Sequence, residues 1–230
     1  MRELNIETPT HGRVLVKTTS GVVSGKRLPM SSAPVVIVGF HGYAQSAEQM
    51  MVTLQALPGS DAWSLVAVQA LHRFYTRGDQ NVVANWMTRQ DREQAIADNV
   101  VYCDRVLDVL LENDIGSRFP ETTPDVVLLG FSQGVAMAYR AALLGRHRVA
   151  GIVAVGGDIP PDVKSVPAER WPRVFVAAGR TDHWYTADKV AADEAFLQRH
   201  RVAHTLLRYD AGHVFTDEVR AAIAAFLSNA

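Results

Sequence analysis

Apolar residues in this chain gather into short unbroken blocks. Val35–Phe40, Leu65–Gln69, Val126–Phe131, Ile152–Val155 and Val174–Ala178 are rich in Val, Ile, Leu, Ala and Phe and do not alternate with polar residues. Such blocks suit strands of a parallel sheet covered on both faces. A last strand is expected at Thr205–Tyr209. Arg13–Lys17 behaves differently, alternating apolar and polar positions. With the second short run punctuated by Gly21 and Gly25, it reads as an antiparallel hairpin at a sheet edge. Helical periodicity fills the intervals. Ile96, Val100, Cys103, Leu107 and Leu110 recur at spacings of three and four, and Asp91 with Gln94 has the form of a capping box before them. Further helices are expected to begin near Gln133, Ala187 and Thr216. The alternation predicts an α/β fold: a mostly parallel central sheet, an N-terminal antiparallel hairpin and helices on both faces.

Composition narrows the function classes. The chain has 230 residues, 48% of them hydrophobic, which suits one domain spanning 1–230. A formal net charge of -1 supplies no field that would draw the protein to nucleic acid or to an anionic membrane. The single cysteine, Cys103, forms no internal disulfide and lies on the apolar face of a helix, so a core role is expected. No apolar run approaches the roughly 20 residues of a membrane span. The segment Met1-Arg2-Glu3-Leu4-Asn5 lacks the core of a signal peptide. These features predict a cytoplasmic protein without stable membrane association, and they are compatible with a homodimer. There is no H-E-x-x-H, no paired C-x-x-C and no dinucleotide fingerprint, and the Gly21–Arg27 segment lacks phosphate-loop spacing. No metal and no cofactor is expected.

One pentapeptide carries chemistry. Gly130-Phe131-Ser132-Gln133-Gly134 matches G-x-S-x-G. Five residues alone are moderate evidence, and their context strengthens them. Here they follow a predicted strand and precede a predicted helix, the context in which a sharp turn lifts a serine hydroxyl clear of a sheet. That context specifies the α/β-hydrolase fold, with Ser132 as nucleophile. A serine needs a base, and in this fold the acid and then the histidine follow it in the chain. Of the late histidines, His200 falls in a helical pattern and His204 just before a strand, at the wrong end of the sheet. His213, after the last strand, is the expected base. Two carboxylates follow strand ends: Asp182, which is favoured for its short glycine-led loop, and Asp158. Asp210 is a third candidate, too close to His213 in sequence to reach it well. The acid would fix the imidazole tautomer and stabilise the imidazolium. An oxyanion hole requires two N–H donors. Gln133, just after the serine, supplies one, and Tyr43, in the turn His41-Gly42-Tyr43 after an early strand, is expected to supply the other.

His41-Gly42, Gly130 to Gly134, Gly179-Arg180-Thr181-Asp182 and Gly212-His213 together resemble the phospholipase/carboxylesterase family, which includes acyl-protein thioesterases and bacterial carboxylesterases. The resemblance runs from about Val35 to the C-terminus, and Trp86 before a long helix belongs to it. It implies a serine hydrolase that cleaves small-molecule carboxylic esters through an acyl-enzyme on Ser132. A thioesterase or another acyl hydrolase on the same triad is the alternative, and a non-catalytic binding protein of the same fold is the remote one. Three positions depart from the family pattern: Ala44 where a second glycine is usual, Val135 where Gly-Gly is usual, and His183-Trp184-Tyr185 where Val-Pro is usual. The segment between Ala70 and Arg92 exceeds a plain connection and carries Phe74, Tyr75, Trp86 and Met87 with Arg73, Arg77, Arg89 and Arg92. It reads equally as a pocket wall, its arginines receiving an acidic group, and as a solvated loop with an aromatic anchor. The pocket is expected to draw on His41, Gly42, Phe74, Tyr75, Trp86, Met87 and Trp184.

Overall fold

The computed structural model describes residues 2, 4–19, 22–23, 26–27, 34–116 and 122–228. Seven strands form one sheet in the order β1(Arg13–Lys17)-β5(Ser64–Gln69)-β4(Val35–Phe40)-β8(Asp125–Phe131)-β9(Gly151–Val155)-β10(Arg173–Gly179)-β11(His204–Tyr209). Every neighbouring pair is parallel except β1 with β5. The blocks without alternation are accounted for by the two sides of this sheet. Val36, Val38, Val126, Leu128, Ile152 and Val174 face a core shared with α2(Arg92–Asp108), α3(Gln133–Leu143) and α4(Ala187–Arg199). Their neighbours Ile37, Val127, Leu129, Val153 and Phe175 face a second core with α1(Ala47–Gln55) and α5(Asp217–Ser228). A strand buried on both sides has no polar position to alternate with.

Three local readings are revised. The antiparallel edge strand β1 pairs with β5, Val14 opposite Val68, rather than with the run that follows it. That run forms its own hairpin of β2(Val22–Val23) and β3(Lys26–Arg27); Gly21 and Gly25 lie outside the described residues. Asp91 does not cap α2. It sits at φ 47°, its side chain bonds no helix N–H, and Gln94 instead donates to Asp98 at 3.1 Å. The capping box belongs to α1, where Ser46 and Gln49 exchange both bonds. The segment after Ala70 is not a plain loop: β6(His72–Tyr75) and β7(Val82–Asn85) pair as an antiparallel hairpin. Among the described residues no helix is long and apolar enough to cross a membrane, and no cluster of His, Cys, Asp or Glu could hold a metal ion.

The chain runs from β4 outward to β5 on one side, and from β8 through β9 and β10 to β11 on the other. The β4/β8 boundary is therefore the switch point, where the loops at the carboxyl ends of the strands diverge and leave a crevice. Ser132 follows β8 at that boundary.

Candidate active site

Ser132 is held at φ 54°, ψ -120°, a conformation unusual for a side-chain-bearing residue. Its N–H donates to the Val155 carbonyl at 3.0 Å, and its own carbonyl accepts from Val135 N–H at 3.0 Å as α3 begins. The flanking glycines are needed for room. A β-carbon at Gly130 would lie 2.5 Å from the Gly134 carbonyl oxygen, and one at Gly134 would collide with the Phe40 carbonyl. The turn is thus wedged between β4 and α3, which over-determines its strained backbone.

His213 and Asp182 meet across the ends of β10 and β11, with Nδ1 and Oδ2 2.7 Å apart. The other carboxylate oxygen accepts the N–H groups of Trp184 at 2.7 Å and Tyr185 at 3.1 Å. Burial pushes the Asp182 carboxyl upward, but the bonds from His213, Trp184 and Tyr185 outweigh it and hold its pKa below the ordinary value. Asp182 is therefore ionised throughout the neutral range. Backbone bonds fasten the two loops together: Arg180 N–H donates to Tyr209 O at 2.9 Å and Thr181 N–H to Ala211 O at 3.1 Å. Gly156, at φ 66°, lies under the imidazole; a β-carbon there would sit 3.0 Å from His213 Cε1. The Phe131 ring packs on the imidazole at 4.9 Å. No hydrogen bond of normal geometry joins Ser132 to His213 among the described residues, a looseness common in sites without substrate. The other two carboxylates are engaged elsewhere. Asp158 is exposed and 3.8 Å from Lys189, and Asp210 is exposed and paired with Arg180 at 2.9 Å.

The loop after β4 passes close to the serine: a β-carbon at Gly42 would be 3.2 Å from Ser132 Cβ. The loop is pinned by Gly42 N–H to Gln45 Oε1 at 2.7 Å, Ala44 N–H to Ala84 O at 3.0 Å and Ala84 N–H to Gln45 O at 2.9 Å. Ala44, where the family pattern has glycine, adopts φ 56°. The N–H groups of Tyr43 and Gln133 donate to no acceptor among the described residues. His41 is fully buried. Its Nε2 accepts Ala70 N–H at 3.1 Å, so Nδ1 carries the proton and donates to Gly42 O at 2.7 Å. Burial lowers its pKa and favours this neutral form.

A cavity of about 400 Å³ opens beside Ser132. Met87 and Trp184 line it, as expected, together with Thr88, Arg89, Arg92, Gln133, Ala136, Gly156, Gly157, Asp158 and Lys189. The remaining pocket expectations need correcting. His41 and Trp86 are fully buried behind the site, where Trp86 Nε1 donates to His41 O at 2.8 Å. Gly42 flanks the serine without lining the cavity, while Phe74 and Tyr75 stand on the β6–β7 hairpin, Phe74 against Tyr43 at 5.7 Å. Arg73 reaches His11 O at 2.6 Å and, like Arg77, does not line the cavity. Sequence reasoning missed the Gln133 side chain. It accepts Trp86 N–H at 3.0 Å and donates to Met87 O at 3.1 Å, which clamps the cavity wall to the serine turn. A long polar side chain in the first turn after the serine was the available signal.

The profile of the phospholipase/carboxylesterase family matches residues 23–209. Among solved structures the chain is similar to acyl-protein thioesterase 2 of Zea mays, with 16% identity, TM-score 0.71, and 95% of this chain and 99% of that one covered. It is also similar to esterase PE8, with 22% identity, TM-score 0.66, and coverage of 96% and 99%. A carboxylesterase of Bacillus cereus follows, with 15% identity, TM-score 0.68, and coverage of 95% and 94%. These likenesses establish a shared α/β-hydrolase fold. No curated protein sequence is significantly similar to this chain. The family profile spans most of the chain, and the protein belongs to the phospholipase/carboxylesterase family of hydrolases.

Proposed function

We propose that the protein is a serine esterase that hydrolyses small carboxylic esters through an acyl-enzyme on Ser132. The observation that carries this reading is the 2.7 Å pair of Asp182 and His213, set beside a serine in a strained strand-to-helix turn and open to one cavity. His213 Nδ1 donates to Asp182, which leaves Nε2 unprotonated and available as general base. It takes the Ser132 proton as Oγ attacks the ester carbonyl. The N–H groups of Tyr43 and Gln133 receive the oxyanion, helped by the positive end of the α3 dipole. The carbonyl re-forms, the alkoxide leaves with the proton from His213, and the acyl group remains on Oγ. Water then attacks the acyl-enzyme with His213 again as base, the carboxylic acid departs, and Oγ recovers its proton. Matched p-nitrophenyl, thioester and anilide substrates of one acyl group test the reading. Hydrolysis of the ester by the wild type, and its loss to the background rate in Ser132→Ala, is the expected result. Undiminished hydrolysis in Ser132→Ala sinks the proposal.

A further inference from the structure

The cavity beside Ser132 is unusual in its charge. Arg89, Arg92 and Lys189 all line it, and Asp158 is the one carboxylate that does. Lys189 stands 3.8 Å from Asp158 and is also tied to Trp184 O at 3.0 Å, an exposed pairing that neutralises little. The side chains of Arg89 and Arg92 form no ion pair or hydrogen bond among the described residues. The carboxylate within electrostatic reach of Arg92 is Asp162, and both of its oxygens already bind Arg140, at 2.7 and 2.8 Å.

The cations also sit where helix electrostatics disfavours them. Arg92 is the first residue of α2 and Lys189 lies in the first turn of α4. The positive end of a helix dipole stabilises acids there and repels bases. The same cavity receives the first turn of α3 through Gln133 and Ala136. Three helix N-terminal turns and three cationic side chains thus converge on one small space. The acids of those turns, Glu93 and Asp188, do not line the cavity, whose lining carries three cations against Asp158 alone. An anionic group there would relieve the repulsion among them.

We propose that the preferred substrate is an ester bearing a second, anionic group, a carboxylate or a phosphate, which Arg89 and Arg92 bind while Ser132 attacks the ester carbonyl. This inference rests on the esterase reading above. The guanidiniums supply planar, charge-assisted donors, and Lys189 adds a third cation at the rim. The chemistry is the cycle already described; the anion is bound and released unchanged with the product. The modest volume favours short acids over long lipid chains.

Three esters of similar length test it: p-nitrophenyl hemisuccinate, p-nitrophenyl valerate as the neutral match, and a p-nitrophenyl ester carrying a terminal phosphate. We expect kcat/KM for at least one anionic ester to exceed the neutral one by about 10- to 100-fold, the range of a charge-assisted hydrogen bond. The larger of the two identifies the group. In Arg89→Gln/Arg92→Gln the anionic-to-neutral ratio should fall at least tenfold. The wild type alone also provides a test, because salt shortens the screening length from about 30 Å at 0.01 M to about 3 Å at 1 M, and the ratio should fall with it. A wild-type ratio at or below one, or a ratio unchanged by both salt and substitution, overturns the proposal. Hydrolysis of the neutral ester, abolished in Ser132→Ala, is measured alongside. It separates failure of the anion site from failure of the esterase reading.

Discussion

Replacing Asp182 by asparagine isolates the step on which the proposed cycle depends. In the native site Oδ1 accepts two N–H groups, from Trp184 and Tyr185, and Oδ2 faces His213 Nδ1 at 2.7 Å. An asparagine there has to keep its carbonyl oxygen on the two N–H donors, because its NH2 would oppose them. The NH2 then occupies the Oδ2 position and donates to Nδ1. The imidazole is forced into the tautomer protonated on Nε2, which no longer accepts the Ser132 proton. The negative charge that stabilises the imidazolium is lost as well. In a trypsin-type triad the same change costs about 10⁴ in kcat, or roughly 5–6 kcal/mol of transition-state stabilisation. The substitution is nearly isosteric, so the fold should remain. The assay is kcat on p-nitrophenyl acetate, with thermal melting on the same samples. Asp158→Asn serves as the control, since Asp158 points to Lys189. A loss below tenfold in Asp182→Asn, or a comparable loss in Asp158→Asn, refutes the assignment.

Two further outcomes follow from the geometry. Gly156→Ala puts a β-carbon 3.0 Å from His213 Cε1 and 3.1 Å from Nδ1 at a φ of 66°. The displaced imidazole should lower kcat by about 10²-fold while strain costs only about 1–2 kcal/mol; a variant of normal kcat and lowered Tm contradicts this. Asp162→Asn leaves the fully buried Arg140 guanidinium without its anion. Discounted for the partial exposure of Asp162, the loss is about 2–3 kcal/mol in urea denaturation at neutral pH. The hydrogen bond from Arg140 holds Asp162 below the ordinary 3.8. In acid the unfolded chain therefore binds more protons, and the contribution present above that value is lost as pH falls through the depressed one. Asp162→Asn should flatten this part of the acid limb, and an unchanged slope would count against the pairing.

The five inner strands were legible because they are buried on both sides, so burial alone wrote them into the sequence as apolar blocks. The places of Ser132, Asp182 and His213 after β8, β10 and β11 were legible because each follows a strand that the sequence marks, in the chain order expected of a candidate triad in this fold. The β6–β7 hairpin was not. Its first strand is mostly exposed and carries His72, Arg73 and Tyr75, and its second offers only Val83 and Ala84 as buried apolar residues. Asp91 misled because a capping box is a local pattern, whereas the residue adopts a left-handed backbone in which its side chain caps no helix N–H. Lys189 went unnoticed because it comes from α4, about a hundred residues beyond the arginines it joins. Trp86 looked like a pocket aromatic, yet its indole N–H binds the His41 carbonyl in the core.

Whether Ser132 is the nucleophile is decided by treatment with a fluorophosphonate, followed by intact mass and peptide mapping. One adduct is expected, on the peptide that holds Ser132, and none in Ser132→Ala. An adduct on another residue, or undiminished labelling of Ser132→Ala, rules the serine out.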